Sequence, residues 1–234
     1  MGKRDIIFLV GLLAVMTASV LAGPAVEYRN TTANFGRVTQ SKILTTDFWV
    51  KSTGDEPLVI EEIWPGCGCT EINLPDSSIA PGDSLSLRIT FNTGHFRGLI
   101  SKNPQIRTNA SPEKVKLSIV AEVDPAANES WPISLRPDGL DVSQYGTKTR
   151  RMGKFHIENR SDEDFRVSVV DTALKAFEIR LPDDLKAGET IEGKVRVRDD
   201  RLESDFDESV TFMIEGKETY YYTLPVRRRY RPIE

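Results

Sequence analysis

Histidine and cysteine are scarce in this chain, at two residues each among 234. A structural zinc site takes four ligands, so so few donors argue against one. No serine-centred nucleophile motif is present, and two histidines without a supporting pattern exclude a hydrolytic triad. A phosphate-cradling glycine loop is missing as well. Basic runs are short: the one triplet is Arg227-Arg228-Arg229, and the formal net charge is -4. Nucleic acid is thereby excluded as a partner, because no basic face exists to displace phosphate counterions. The triplet is read as a solvated tail or strand end. Past residue 22 there is no apolar run long enough to cross a membrane, and no amphipathic helical period.

What is present begins with an export signal. Lys3 and Arg4 give a positive start, Ile6 to Val20 an apolar stretch, and Val20-Leu21-Ala22 a peptidase-like site, so cleavage is expected after Ala22. The alternative is a retained membrane anchor through residues 6–22, a run of 17 residues against the about 20 a spanning helix wants. Only that uncleaved form would contact a membrane. The expected location is periplasmic or extracellular.

The mature chain repeats itself. Phe48-Trp49-Val50-Lys51, a polar turn, then Leu58-Val59-Ile60 recur as Phe155-His156-Ile157-Glu158, a polar turn, then Phe165-Arg166-Val167, each at an offset of 107. Ala80-Pro81-Gly82-Asp83 before Leu85, Leu87, Ile89 and Phe91 recurs as Lys186-Ala187-Gly188-Glu189 before Ile191, Val195 and Val197, now at an offset of 106. Alternating apolar residues share one face only in a strand. Val115 to Val123, Val210 to Ile214 and Tyr220 to Val226 alternate likewise. The predicted fold class is all-β: two tandem immunoglobulin-like β-sandwich domains after an N-terminal signal helix. The expected boundaries are a signal peptide at 1–22, a first domain at 23–124, a linker at 125–131 and a second domain at 132–234. The stretch Ala25 to Val38 reads as an edge strand, and Trp131 as either a junction residue or the start of the second domain.

Cys67-Gly68-Cys69 is the one local constellation able to carry chemistry. The repeat places Leu174-Lys175-Ala176 there in the second copy, so the pair is not needed to make the fold. Four readings stay open. A local disulfide would span Cα atoms about 6.5–7 Å apart if the strand stayed extended, unless Gly68 lets it tighten. The others are a dithiol acting in exchange, a soft-metal site for Cu(I), and cross-links to another chain. Metal is a weak candidate there, and no cofactor is expected. Asn92, His95 and Arg97, in a glycine-flanked polar loop, are candidate binding-loop residues. Acidic residues Asp199 to Glu208 are read as a solvated loop, lacking EF-hand spacing.

Phe35-Gly36-Arg37-Val38, Phe48-Trp49-Val50, Cys67-Gly68-Cys69-Thr70, Pro81-Gly82-Asp83 and Phe91-Asn92-Thr93-Gly94 occur in that order. In this the first domain, over about residues 26–123, resembles an exported bacterial family of unknown function, domain of unknown function family 1573, related to the Hydin-like immunoglobulin fold and to pilus-chaperone sandwiches. The second domain resembles it in skeleton only, without the cysteine motif. The resemblance implies fold and export, and no active site. The expectation is a non-enzymatic exported envelope protein, a protein-binding or structural accessory module. Its partner would be another envelope protein, with no small-molecule substrate evident. The alternative is a thiol-redox or copper-handling protein using Cys67 and Cys69.

Overall fold

The computed structural model describes residues 23–127, 130–170 and 174–233. The signal segment expected at 1–22 lies outside the described residues. The first half of the chain forms β1 (Val26–Tyr28), β2 (Thr32–Val38), β3 (Ile43–Ser52), β4 (Leu58–Trp64), β5 (Thr70–Asn73), β6 (Ser78–Ile79), β7 (Ser84–Asn92), β8 (Gly98–Lys102), β9 (Gln105–Thr108), β10 (Ser111–Lys116) and β11 (Ser118–Val123). The second forms β12 (Ile133–Arg136), β13 (Leu140–Asp141), β14 (Gln144–Tyr145), β15 (Met152–Asn159), β16 (Phe165–Val169), β17 (Phe177–Arg180), β18 (Asp184–Leu185), β19 (Thr190–Val197), β20 (Phe206–Glu215), β21 (Thr219–Arg228) and β22 (Tyr230–Arg231). The fold is all-β, two immunoglobulin-like sandwiches in tandem.

The repeat read from the sequence is a repeat of strand order. One sheet of the first copy runs β1-β3-β7-β5, and its counterpart runs β12-β15-β19-β17. The opposing strands of the first copy form β10-β9-β4-β6 and β2-β11-β8. These two groups are one bent hairpin system, because Leu117 N–H donates to Pro104 O (2.8 Å) between the β8/β11 and β9/β10 ladders. Alternation does the packing: Leu44, Phe48, Val50, Leu87, Ile89 and Phe91 are buried in one cluster, and Phe155, Ile157, Ile191, Val195 and Val197 in another. Each fully buried side chain of this size contributes roughly 1.5–3 kcal/mol, and the two faces must close on each other to collect it.

The two sandwiches also share a sheet. The stretch Ala25 to Val38, read as an edge strand, is two strands: β1 is an edge of its sheet, whereas β2 is not. Strand β2 lies parallel to β11 on one side and meets β21 on the other at Arg37↔Tyr222, joining both halves into the order β18-β16-β20-β21-β2-β11-β8. A bulge in β2 makes the junction possible: Gly36 has φ +57°, and a Cβ there would stand 2.1 Å from Tyr221 O. Only glycine takes that backbone at that separation without strain. Thr223 Oγ1 donates to Phe35 O (2.5 Å), and Arg37 donates to Trp131 O (2.5 Å). Trp131 itself is 63% exposed and precedes β12, so its carbonyl and not its ring serves the junction.

Candidate functional site

The cysteine turn is built where β4 stops. Trp64 pairs with Gln105, and Pro65 then follows, with no N–H to extend the ladder. Gly66 takes φ +83°, and the chain turns through Cys67 to Thr70, whose N–H donates to Cys67 O (3.3 Å). The turn draws the Cα atoms of Cys67 and Cys69 to 5.2 Å, inside disulfide range, and the two sulfurs are bonded to each other. In that state neither sulfur is a thiolate available to Cu(I). Both are half-buried, Cys69 packing against the first core. Beneath them Thr70, 6% exposed, places its hydroxyl 3.4 Å from Cys67 Sγ and 3.9 Å from Cys69 Sγ.

The second candidate loop lies beside this turn. Thr70 pairs with Phe91, and Asn92 N–H donates to Cys69 O (2.9 Å), so the turn and the Asn92–Gly98 loop share one end of the first sandwich. Asn92 shapes the loop by accepting Gly94 N–H (2.9 Å) on its side chain. Buried Thr93 anchors it by accepting Lys42 N–H (2.8 Å), and Gln40 donates to the carbonyls of His95 (3.1 Å) and Phe96 (2.9 Å). His95 and Arg97 are exposed on this held loop. Phe96 stacks on Phe91 with centroids 6.0 Å apart, and the Lys102 ammonium sits 4.4 Å over the Phe96 ring. The five residues read as candidates thus fall on two adjacent segments.

The equivalent turn in the second copy has another use. Lys175, at the place of Gly68, crosses to the first sandwich and meets Asp47 (3.0 Å) and Ser86 (3.0 Å). Lys175 N–H and Ala176 N–H both donate to Glu208, which also takes Arg88 (2.8 Å) from the first sandwich. Asp47 and Glu208 are 7% and 3% exposed, so this is a buried inter-domain charge cluster that neither residue's sequence context announced.

Two expectations about charge are corrected. Arg228 is fully buried, not solvated: its guanidinium donates to the carbonyls of Leu202, Val142 and Arg150 and to Gln144. The acidic stretch is not merely solvated either. Asp199 pairs with Arg151, Asp205 with Arg231, Asp207 with Arg229 and Glu208 with Arg88. Arg231 and the Tyr230 N–H hold the Asp205 carboxyl down to about 2. Burial pushes Asp141 up, but hydrogen bonds from Ser143 and Arg227 outweigh it and bring it to about 2. Among the described residues no group of three or more His, Cys, Asp and Glu side chains is placed to hold a metal ion. No helix among them is long and apolar enough to cross a membrane.

Residues 26–123 match a protein family of unknown function, DUF1573. No curated protein matches the chain. Among solved structures the chain is similar to a protein of unknown function from Porphyromonas gingivalis W83, at 7% identity and TM-score 0.36, over 86% of this chain and 99% of that one. It is similar to the E. coli chaperone DraB at 9% identity and TM-score 0.34, over 85% and 96%. The PapD-like domain 7 of human CEP192 is similar at 10% identity and TM-score 0.34, over 53% and 99%.

Proposed function

We propose that this chain is exported by residues 1–22 and works as a non-enzymatic protein-binding module of the cell envelope, its partner another envelope protein. The proposed division is a first domain at 23–124, a linker at 125–131 and a second domain at 132–234. The match to a family of unknown function over the first domain supports placing the distinctive surface there, and the Cys-Gly-Cys-Thr turn is proposed as its signature. The observation that carries the reading is the shared end of that sandwich. The disulfide turn and the Asn92–Gly98 loop are held side by side, with His95 and Arg97 exposed on a loop whose backbone is tied from beneath. Sandwich modules bind through such end loops and edge strands.

The test is site-specific photo-crosslinking in intact cells. A crosslinker at position 97 is expected to capture one envelope protein, whereas the same group at Arg180, on the second sandwich, captures none. Equal capture from both positions, or none from position 97, overturns the reading. A second reading, thiol-redox work by Cys67 and Cys69, is favoured by one observation: a buried hydroxyl faces both sulfurs of a pair the sibling domain does without.

A further inference from the structure

The cysteine turn stands at the end of an open sheet edge. Among the described residues strand β8 is the last strand of its sheet, paired with β11 on one side only. If β4 continued straight past the Trp64–Gln105 pair, Gly66 would oppose Asn103 and Cys67 would oppose Lys102. Gly66 still faces Asn103, whose carbonyl oxygen is 3.7 Å from the position of a Gly66 Cβ. The chain then leaves to pair Thr70 with Phe91, and among the described residues no strand pairs with β8 on this side, while Cys67 is the next residue after the one that faces Asn103.

This edge lacks the guards that three others carry. Strand β10 holds Pro112, Glu113 and Lys114, β12 lies between Pro132 and Pro137, and β17 carries Glu178 and Arg180. Proline and charge on an edge block pairing with another chain. Leu99, Ile100 and Ser101 of β8 are uncharged, and Leu99 is 77% exposed. Lys102, which would otherwise guard the edge, is folded over Phe96.

The second sandwich indicates what such a turn is for. Its turn at Leu174–Ala176 reaches a neighbouring module, through Lys175 to Asp47. The first sandwich presents two sulfurs at that place instead of a lysine.

We propose that an extended, cysteine-bearing segment of a partner protein pairs with the open edge of Gly98–Lys102 and exchanges its thiol with the Cys67–Cys69 disulfide. This rests on the protein-binding reading and names the partner's chemistry. The partner thiolate attacks Cys69 Sγ, the sulfur–sulfur bond breaks, and its electron pair leaves on Cys67 Sγ. The Thr70 hydroxyl, 3.4 Å away, donates to the sulfur that becomes a thiolate. That lowers the leaving group's pKa, which speeds exchange. A second thiol of the partner then attacks the mixed disulfide and frees Cys69. The partner loses two electrons and two thiol protons, and this chain gains them as Cys67 and Cys69 thiols.

The experiment uses the full chain, a synthetic Val/Thr-rich peptide with one cysteine, the same peptide with prolines at alternate positions, and glutathione. Mixed disulfide is read by intact mass spectrometry after acid quench. The extended peptide is expected to form an adduct at Cys69 about tenfold faster than glutathione or the proline peptide, since only it can add a strand. Leu99→Lys brings its rate down to that of glutathione. Thr70→Val slows all three thiols about tenfold, and Thr70→Ser restores the rate. Equal rates for the extended and proline peptides overturn the edge. The absence of any adduct overturns the exchange; if the position-97 crosslink persists in that case, the protein-binding reading stands without it.

Discussion

Arg228 places five N–H donors among backbone carbonyls and one amide, with no carboxylate of the described residues in contact. Its burial lowers its pKa from the usual arginine value, yet an arginine stays charged in a protein. The planar fork is what satisfies the four acceptor groups together, and an ammonium does not reproduce it. Arg228→Lys is therefore expected to destabilise the second sandwich by about 3 kcal/mol, read as a shift in the urea midpoint. An unchanged midpoint would show that the lysine finds equivalent partners. The carboxylates nearby set an acid limit. Asp205 and Asp141 titrate near 2 in the folded chain against an ordinary 3.8. A depressed folded pKa means the unfolded chain takes up the proton first as pH falls. Their contribution is complete above about pH 4 and is lost towards about pH 2. Denaturant midpoints measured from pH 5 to pH 2 should fall across that window, and Asp205→Asn should flatten part of the fall.

Among the strands, the copies differ most instructively at Gly193. In the first sandwich Phe48 pairs with Leu87; in the second Phe155 pairs with Gly193. The Phe155 ring lies over the glycine, so that a Cβ there would stand 2.0 Å from its Cζ. A strand glycine is ordinarily worse than alanine by about 0.5–1 kcal/mol. Here Gly193→Ala should instead destabilise by about 2 kcal/mol, because the ring has to move out of a filled core. A rise in Tm would mean the ring has room to shift. The cysteine turn is the opposite case. Cys67→Ser and Cys69→Ser should each leave the strand signal in circular dichroism and the cooperativity of melting unchanged, since Leu174–Ala176 serves the sibling fold without sulfur. Failure of both variants to fold would make the disulfide a staple.

At the scale of the whole molecule the two sandwiches are held by a shared sheet and a buried charge cluster, besides the chain between them. The Arg37↔Tyr222 pairing, the Thr223–Phe35 bond and the Glu208–Arg88 pair all cross the junction. One cooperative unfolding transition is expected in calorimetry. Gly36→Ala brings a Cβ onto Tyr221 in a left-handed backbone, and should split that transition in two by opening the junction. A single transition at the original temperature would show that the charge cluster holds the halves together unaided.

The sequence alone determined the long alternating strands, their faces and the repeat, because burial of alternate side chains is a local rule with a period of two. Phe48 and Phe155, and Leu58 and Phe165, are buried at matching places for that reason. Gly68 likewise left room for the cysteine segment to tighten, which the structure realises as a turn before Thr70. What the tertiary structure decided depends on residues far apart in the chain. The fate of Arg37, Glu208, Lys175 and Arg228 follows from which surface comes to face them, and a charged residue carries no sign of its future partner. The open edge beside the cysteine turn is of this kind too. Whether a strand has a neighbour is a property of the sheet, settled here by β4 turning away at Pro65.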